Sequence, residues 1–198
     1  MSYHTHHRTD WRRRGHLSAE ALWGTMLITM SIGVAASAEP VVPTDGMVIT
    51  ENTVFVPGTY NLPNGVFIGA SGVTLDMNGA ELVGTDYDNY GVTCIGYDNV
   101  TIANGIIHTY YYAIRVESGI GIHIEDNDLS DNWVDPDSLE PPAPWLNINV
   151  GPNLGDRVNL GGGLFMNNVT GVVVSGNTLQ NQENGIDLFF VDDSTITG

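Results

Sequence analysis

The 198-residue chain is predicted to fold as an all-β solenoid, a parallel β-helix built from coils of about 22 residues. A repeat is the first reason. Gly91-Val92-Thr93-Cys94 aligns with Ala113-Ile114-Arg115-Val116, and Gly163-Leu164-Phe165-Met166 aligns with Gly185-Ile186-Asp187-Leu188, each at a spacing of 22 residues. The register continues downstream, where Val100-Thr101-Ile102 falls on Ile122-His123-Ile124 and Val172-Val173-Val174 on Ser194-Thr195-Ile196. Local pattern is the second reason: each repeat carries short apolar/polar alternations, and no stretch of about 10 to 12 residues has helical periodicity. The third is the recurrence of breaks, with Gly105, Asn127 and Asn177 at equivalent places. Glycine and asparagine tolerate the left-handed backbone that a coil corner needs, and a stacked asparagine can bond from coil to coil.

Alternation places Val92 and Cys94, Ile114 and Val116, Leu164 and Met166, and Ile186 and Leu188 in one inward column. A single coil with three short strands cannot bury that face alone. Stacking coils about 4.8 Å apart makes it continuous.

Residues 1–38 stand outside the repeat. Arg8 and Arg12 to Arg14 form a basic start, Ala21 to Val34 an apolar core of 14 residues, and Ala36-Ser37-Ala38 a small-x-small site before Glu39. That is the pattern of a secretory signal peptide cleaved after Ala38, and the apolar run falls short of the ~20 residues of a spanning helix. A secreted, cell-surface or periplasmic protein with no membrane segment in its mature chain is expected. Residues 39–63 form a lead-in and first coil, and residues 64–198 the body of the β-helix, about five coils in all. The two halves of the repeat are 50 residues apart, one period plus a 28-residue insertion placed at 133–160. Gly198 falls partway through a coil with no polar cap, so a continuation or a partner is expected to cover the last rung.

Residues 64–84 (NGVFIGASGVTLDMNGAELVG), 98–107 (DNVTIANGII) and 122–132 (IHIEDNDLSDN) resemble the parallel-β-helix repeats of the pectin-lyase-like superfamily, its NosD-like members most closely. The resemblance spans residues 45–198 and implies a right-handed β-helix. Its matching residues shape coils, so it says little about chemistry. Lyases of this fold generally use a Lys or Arg base, often with calcium, and this chain has no lysine. The hydrolase set of N-T-D, paired aspartates, G-H-G and R-I-K is not present as a set.

From residue 39 onward there are 21 acidic side chains against only Arg115 and Arg157, a formal charge of −19. So acidic a chain excludes nucleic acid and anionic membranes as partners. It suits work in high salt, or calcium held by carboxylates, although no calcium-loop motif is present. Cys94, the one cysteine, lies in the inward column and reads as a small buried hydrophobe. No metal site is predicted, and His108 and His123 fall on different sides of a coil.

The residues between the inward positions form outward strips. One contains Thr93, Arg115, Phe165 and Asp187, extended to Phe67 through a four-residue longer coil at Thr85 to Asn89; the next contains Ile95, Glu117, Asn167 and Phe189. Aromatic rings beside an arginine and carboxylates are what a sugar groove needs. Phe165 and Phe189 are its expected ligand-binding residues, and Arg115, Glu117 and Asp187 the candidates for any catalytic acid or base. Trp133 and Trp145, in or beside the insertion, either wall a cleft or pack the loop onto the barrel. Two functions follow as expectations. One is an exported module that binds, and in an enzymatic version processes as lyase, hydrolase or epimerase, an extracellular polysaccharide. The alternative is a non-enzymatic surface or interaction domain, or a NosD-like accessory protein.

Overall fold

A computed structural model describes residues 39–133 and 161–198. Residues 1–38, where a signal peptide is expected, and residues 134–160, including Trp145 and Arg157, lie outside the described residues. Among the described residues there is no helix, and hence none long and apolar enough to cross a membrane.

The described residues form fifteen short strands that wind through parallel sheets. The first three rungs are β1 (Val48–Ile49), β2 (Thr53–Val54) and β3 (Thr59–Asn61); β4 (Val66–Ile68), β5 (Thr74–Asp76) and β6 (Glu81–Val83); and β7 (Tyr90–Ile95), β8 (Thr101–Ala103) and β9 (Ile106–His108). Three further rungs follow as β10 (Tyr112–Glu117) with β11 (His123–Glu125), β12 (Gly162–Thr170) with β13 (Val173–Ser175), and β14 (Asn184–Asp192) with β15 (Thr195–Thr197). Two sheets have six strands each, ordered β1-β4-β7-β10-β12-β14 and β2-β5-β8-β11-β13-β15, and the third is β3-β6-β9. The chain is therefore a parallel β-solenoid of about six turns.

That is one turn more than the repeat alone suggests, because the two-residue strands of the first rung are too short to show alternation. Three strands per coil are present in each of the first three rungs. In the later rungs the third face shrinks to single bridges, Ile106 to Asp128 and Asp128 to Thr178. Asp128 explains the change, since its carboxylate accepts the amide of Ser130 at 3.1 Å and turns the chain out of the strand.

Register follows the repeat. Val116 pairs with Cys94 on one side and Met166 on the other, and Ile124 pairs with Ile102 and Val174. Phe67 pairs with Thr93 across the longer coil. The core is these columns: Val92, Cys94, Ile102, Ile114, Val116, Ile124, Leu164 and Met166 are sealed from solvent. The column opens at the sixth rung, where β14 has a neighbour on one side only and Leu188 is 45% exposed.

The asparagine corners also stack. Asn127 accepts the Gly105 amide at 2.9 Å through Oδ1 and donates to Ile102 O at 3.1 Å, and Asn177 Oδ1 accepts the Asn127 amide at 3.0 Å. These bonds satisfy backbone groups that the turn takes out of the sheet.

Burial, with a smaller contribution from Asp98, pushes the Cys94 thiol up to about 11. At pH 8 that leaves about one thiolate per thousand molecules, behind a sealed wall. Iodoacetamide is expected to leave the folded protein unmodified over hours at pH 8 and to label it fully in urea, read by intact mass. Fast labelling of the folded protein would refute this packing.

Candidate functional site

The outer face of the β1-β4-β7-β10-β12-β14 sheet carries the candidate strips, since alternation that sends Ile114 and Val116 inward sends Arg115 and Glu117 out. Parallel pairing then stacks the predicted strip as Thr93, Arg115, Phe165 and Asp187, one residue per rung. The neighbouring strip is Ile95, Glu117, Asn167 and Phe189. It is not a plain solvated face, because Thr93 is buried at 8% exposure beneath its neighbours.

Arg115 lies flat, its guanidinium carbon 4.7 Å from the centroid of the Tyr90 ring. Its Nε and Nη2 donate to one oxygen of Glu117, Oε1, at 2.9 and 2.7 Å. The cation–π contact, about 0.5–2 kcal/mol in general, and the ion pair hold the side chain in one pose. Arg115 is the only lysine or arginine among the described residues. It borders a cleft of about 360 Å³ whose other walls are Phe67, Ile68, Tyr90, Thr93 and Ile95, with Asn64 and Asn89 at its edge.

A wall of rings continues from that cleft along the rungs. Tyr90 stacks on Tyr112 at 6.4 Å between centroids, Tyr112 meets Phe165 at 5.5 Å, and Phe165 meets Phe189 at 5.6 Å. Tyr111 closes the side, edge-on to Tyr112 at 5.0 Å. Burial, then the charges of Tyr90, Asp187 and Glu183, raise the Tyr111 phenol above its ordinary value, so it stays a neutral hydrogen-bonding group. Asp187, the third carboxylate or cation predicted for the site, accepts the Tyr112 hydroxyl and the Asn184 amide, the latter at 3.2 Å. It sits two rungs from Arg115 with Phe165 between, so the structure joins Arg115 to Glu117 and holds Asp187 apart from both.

Among the residues expected to contact ligand, Phe189 is 49% exposed and Phe165 half-buried against it. Trp133 is half-buried at the point where the described chain stops before the insertion. The described chain resumes at Gly161, packed close to the carbonyls of Tyr111 and Asn132.

Tyr90 and Tyr112 are functional candidates that sequence reasoning missed. The signal was present, because they are 22 residues apart and pair directly. Each begins its strand ahead of the clean alternation, which hid that the half-buried Tyr90 ring lines the cleft while the Tyr112 ring, 1% exposed, backs the wall from inside.

The histidines are separate, as their spacing predicts. His123 Nδ1 lies 3.1 Å from Glu125 Oε1 on β11, and His108 Nε2 lies 2.7 Å from Glu81 Oε1 on the β3-β6-β9 face. Among the described residues no three His, Cys, Asp or Glu side chains converge on a point that holds a metal, so the calcium expectation finds no carboxylate cage there. Comparison of the chain with protein-family models, curated proteins and solved structures gives no match.

Proposed function

We propose that the chain is an exported β-helix module, of the right-handed pectin-lyase-like kind and nearest to its NosD-like members, that binds an extracellular polysaccharide across the Arg115 cleft and the ring wall. The observation that supports this reading best is the set of accessible rings Tyr90, Phe165 and Phe189, backed by the buried ring of Tyr112, with Arg115 and Glu117 fixed beside it. Ring faces pack on sugar C–H faces, and the Arg115 fork with the amides of Asn64 and Asn89 offers hydrogen bonds to hydroxyls.

The acidic surface opposes a polyanion, which favours a neutral chain or one whose few carboxylates meet Arg115. Calcium, in this reading, supports surface charge rather than chemistry at the cleft. Any lyase, hydrolase or epimerase activity would draw its acid and base from Arg115, Glu117 and Asp187.

Titration of a neutral and uronate-containing glycan panel, in low and in multimolar salt, tests this. Phe165→Ala and Tyr90→Ala are each expected to weaken binding about tenfold, the effect of losing one stacking contact of about 1.4 kcal/mol. Folded variants that bind as well as the parent would remove the ring wall from the site. A folded parent that binds no glycan would favour a structural or interaction module.

A further inference from the structure

A second cluster lies on the β3-β6-β9 face, on a different sheet from the ring wall, and it owes nothing to the polysaccharide reading. Glu81 is its centre. Its Oε2 accepts the Thr59 hydroxyl at 2.5 Å and its Oε1 lies 2.7 Å from His108 Nε2, while His108 Nδ1 lies 2.9 Å from the hydroxyl of Thr109. The bond from Thr59, then that from His108, holds the Glu81 carboxyl below its ordinary value, so it is an acceptor at neutral pH. A neutral His108 beside that acceptor carries its proton on Nε2. Its Nδ1 lone pair is then left facing the Thr109 hydroxyl, which can only donate to it.

This is the order that hydroxyl activation requires: a carboxylate that fixes the tautomer, an imidazole base, and an O–H group on the base. The backbone adds an independent observation. Thr109 has φ of 67°, a left-handed conformation that is an outlier for a β-branched residue. The corresponding corners of the next two rungs place Asp131 and Asn181 there, at 59° and 53°, residue types at ease in that region. A threonine that gives up backbone comfort where its neighbours do not points to a role for its hydroxyl. The set is reachable, the side chains of His108 and Glu81 being 28% and 33% exposed.

We infer that Thr109 is a histidine-activated nucleophile that takes an acyl group from activated carboxylic esters. Thr109 Oγ bonds to the acyl carbon as its proton passes to His108 Nδ1, the ester C–O bond breaks, and the alcohol leaves either with that proton or as a stabilised anion, in which case His108 releases the proton to solvent and is again a base. Water then attacks the acyl-threonine, giving one proton to His108 Nδ1, which returns it to the departing Thr109 oxygen, and the carboxylic acid is released. The amide of Thr109 donates to Asp131 O and that of Tyr110 to Asn132 Oδ1, so neither is free to hold the oxyanion. The reaction is accordingly confined to esters with good leaving groups.

The experiment treats the purified protein with p-nitrophenyl acetate, following nitrophenolate release and locating the acetyl group by peptide mass spectrometry. One acetyl group on Thr109, with His108→Gln slowing the burst by about 10²–10⁴-fold and Thr109→Ala abolishing it, is the expected result. Thr109→Ser is expected to keep the burst, and Thr109→Gly, which suits the left-handed corner, to lose it while melting like the parent. The inference is overturned by acetylation elsewhere, by no adduct on the folded parent, or by a folded Thr109→Gly variant that reacts as the parent does. None of these results bears on glycan binding, which is read separately.

Discussion

Replacing Asn132 by alanine is expected to lower the stability of the solenoid by roughly 3 kcal/mol, among the largest effects of any side-chain truncation in it. The residue is fully buried. Its Oδ1 accepts the Tyr110 amide at 3.0 Å, and its Nδ2 faces the carbonyls of Ile107, Leu129 and Ser130 at 2.7, 2.9 and 2.8 Å. Alanine would strand one donor and up to three acceptors inside the barrel, each costing about 1–3 kcal/mol unless a water enters to share the load. Asn132→Asp should be no better, because a carboxylate cannot donate to those carbonyls and places charge in the core. The control is Asn181→Ala, an exposed corner, expected to cost no more than about 1 kcal/mol. Urea unfolding of the three variants measures the differences, and an Asn132→Ala loss below about 1 kcal/mol would mean that solvent already reaches this corner.

Gly65→Ala is expected to be worse still, roughly 4 kcal/mol, and to reduce the yield of folded protein. Gly65 has φ of 63°, and its carbonyl accepts the Gly46 amide at 2.8 Å from the rung below. A methyl group there would overlap the carbonyl oxygens of Tyr90 and Gly91 on the rung above. Only part of the loss is the left-handed backbone, about 1–2 kcal/mol for any L-residue. The remainder is the strain of pushing β7 off the stack. Gly72→Ala separates the two terms, since Gly72 has φ of 74° and a methyl group there meets nothing within 4 Å. It should lose only the backbone share, and equal losses at the two positions would refute the clash. Gly65 also abuts Tyr90, so the substitution should disturb the Arg115 cleft.

Much of the fold was legible because a stacked coil repeats its constraints. Every rung must turn at the same places and fill the same interior, so Cys94, Val116 and Met166 had to share a column, and Asn127 and Asn177 had to meet. The strip of Thr93, Arg115, Phe165 and Asp187 followed from the same arithmetic, and so did the Arg115 and Glu117 pairing two residues apart. The third face was less legible, because one Asx turn at Asp128 suffices to replace a strand by a bridge. The ring wall was half legible: Phe165 and Phe189 declared themselves, while Tyr90 and Tyr112 sat ahead of the alternation.

The class of structure, the coil length, the register and the inward column are readable from the residues alone, because burial at each position is set by period-2 alternation and by which coil stacks on which. What the outward side chains do depends on packing in three dimensions. Arg115 reaches across to Tyr90, Tyr112 to Asp187, and Glu81 to Thr59 and His108 on either side. Only the contact of Glu81 with Thr59 is in register and the other three are diagonal, because a long polar side chain spans more than the ~4.8 Å between rungs. Which of several neighbours it takes is then settled by the packing around it.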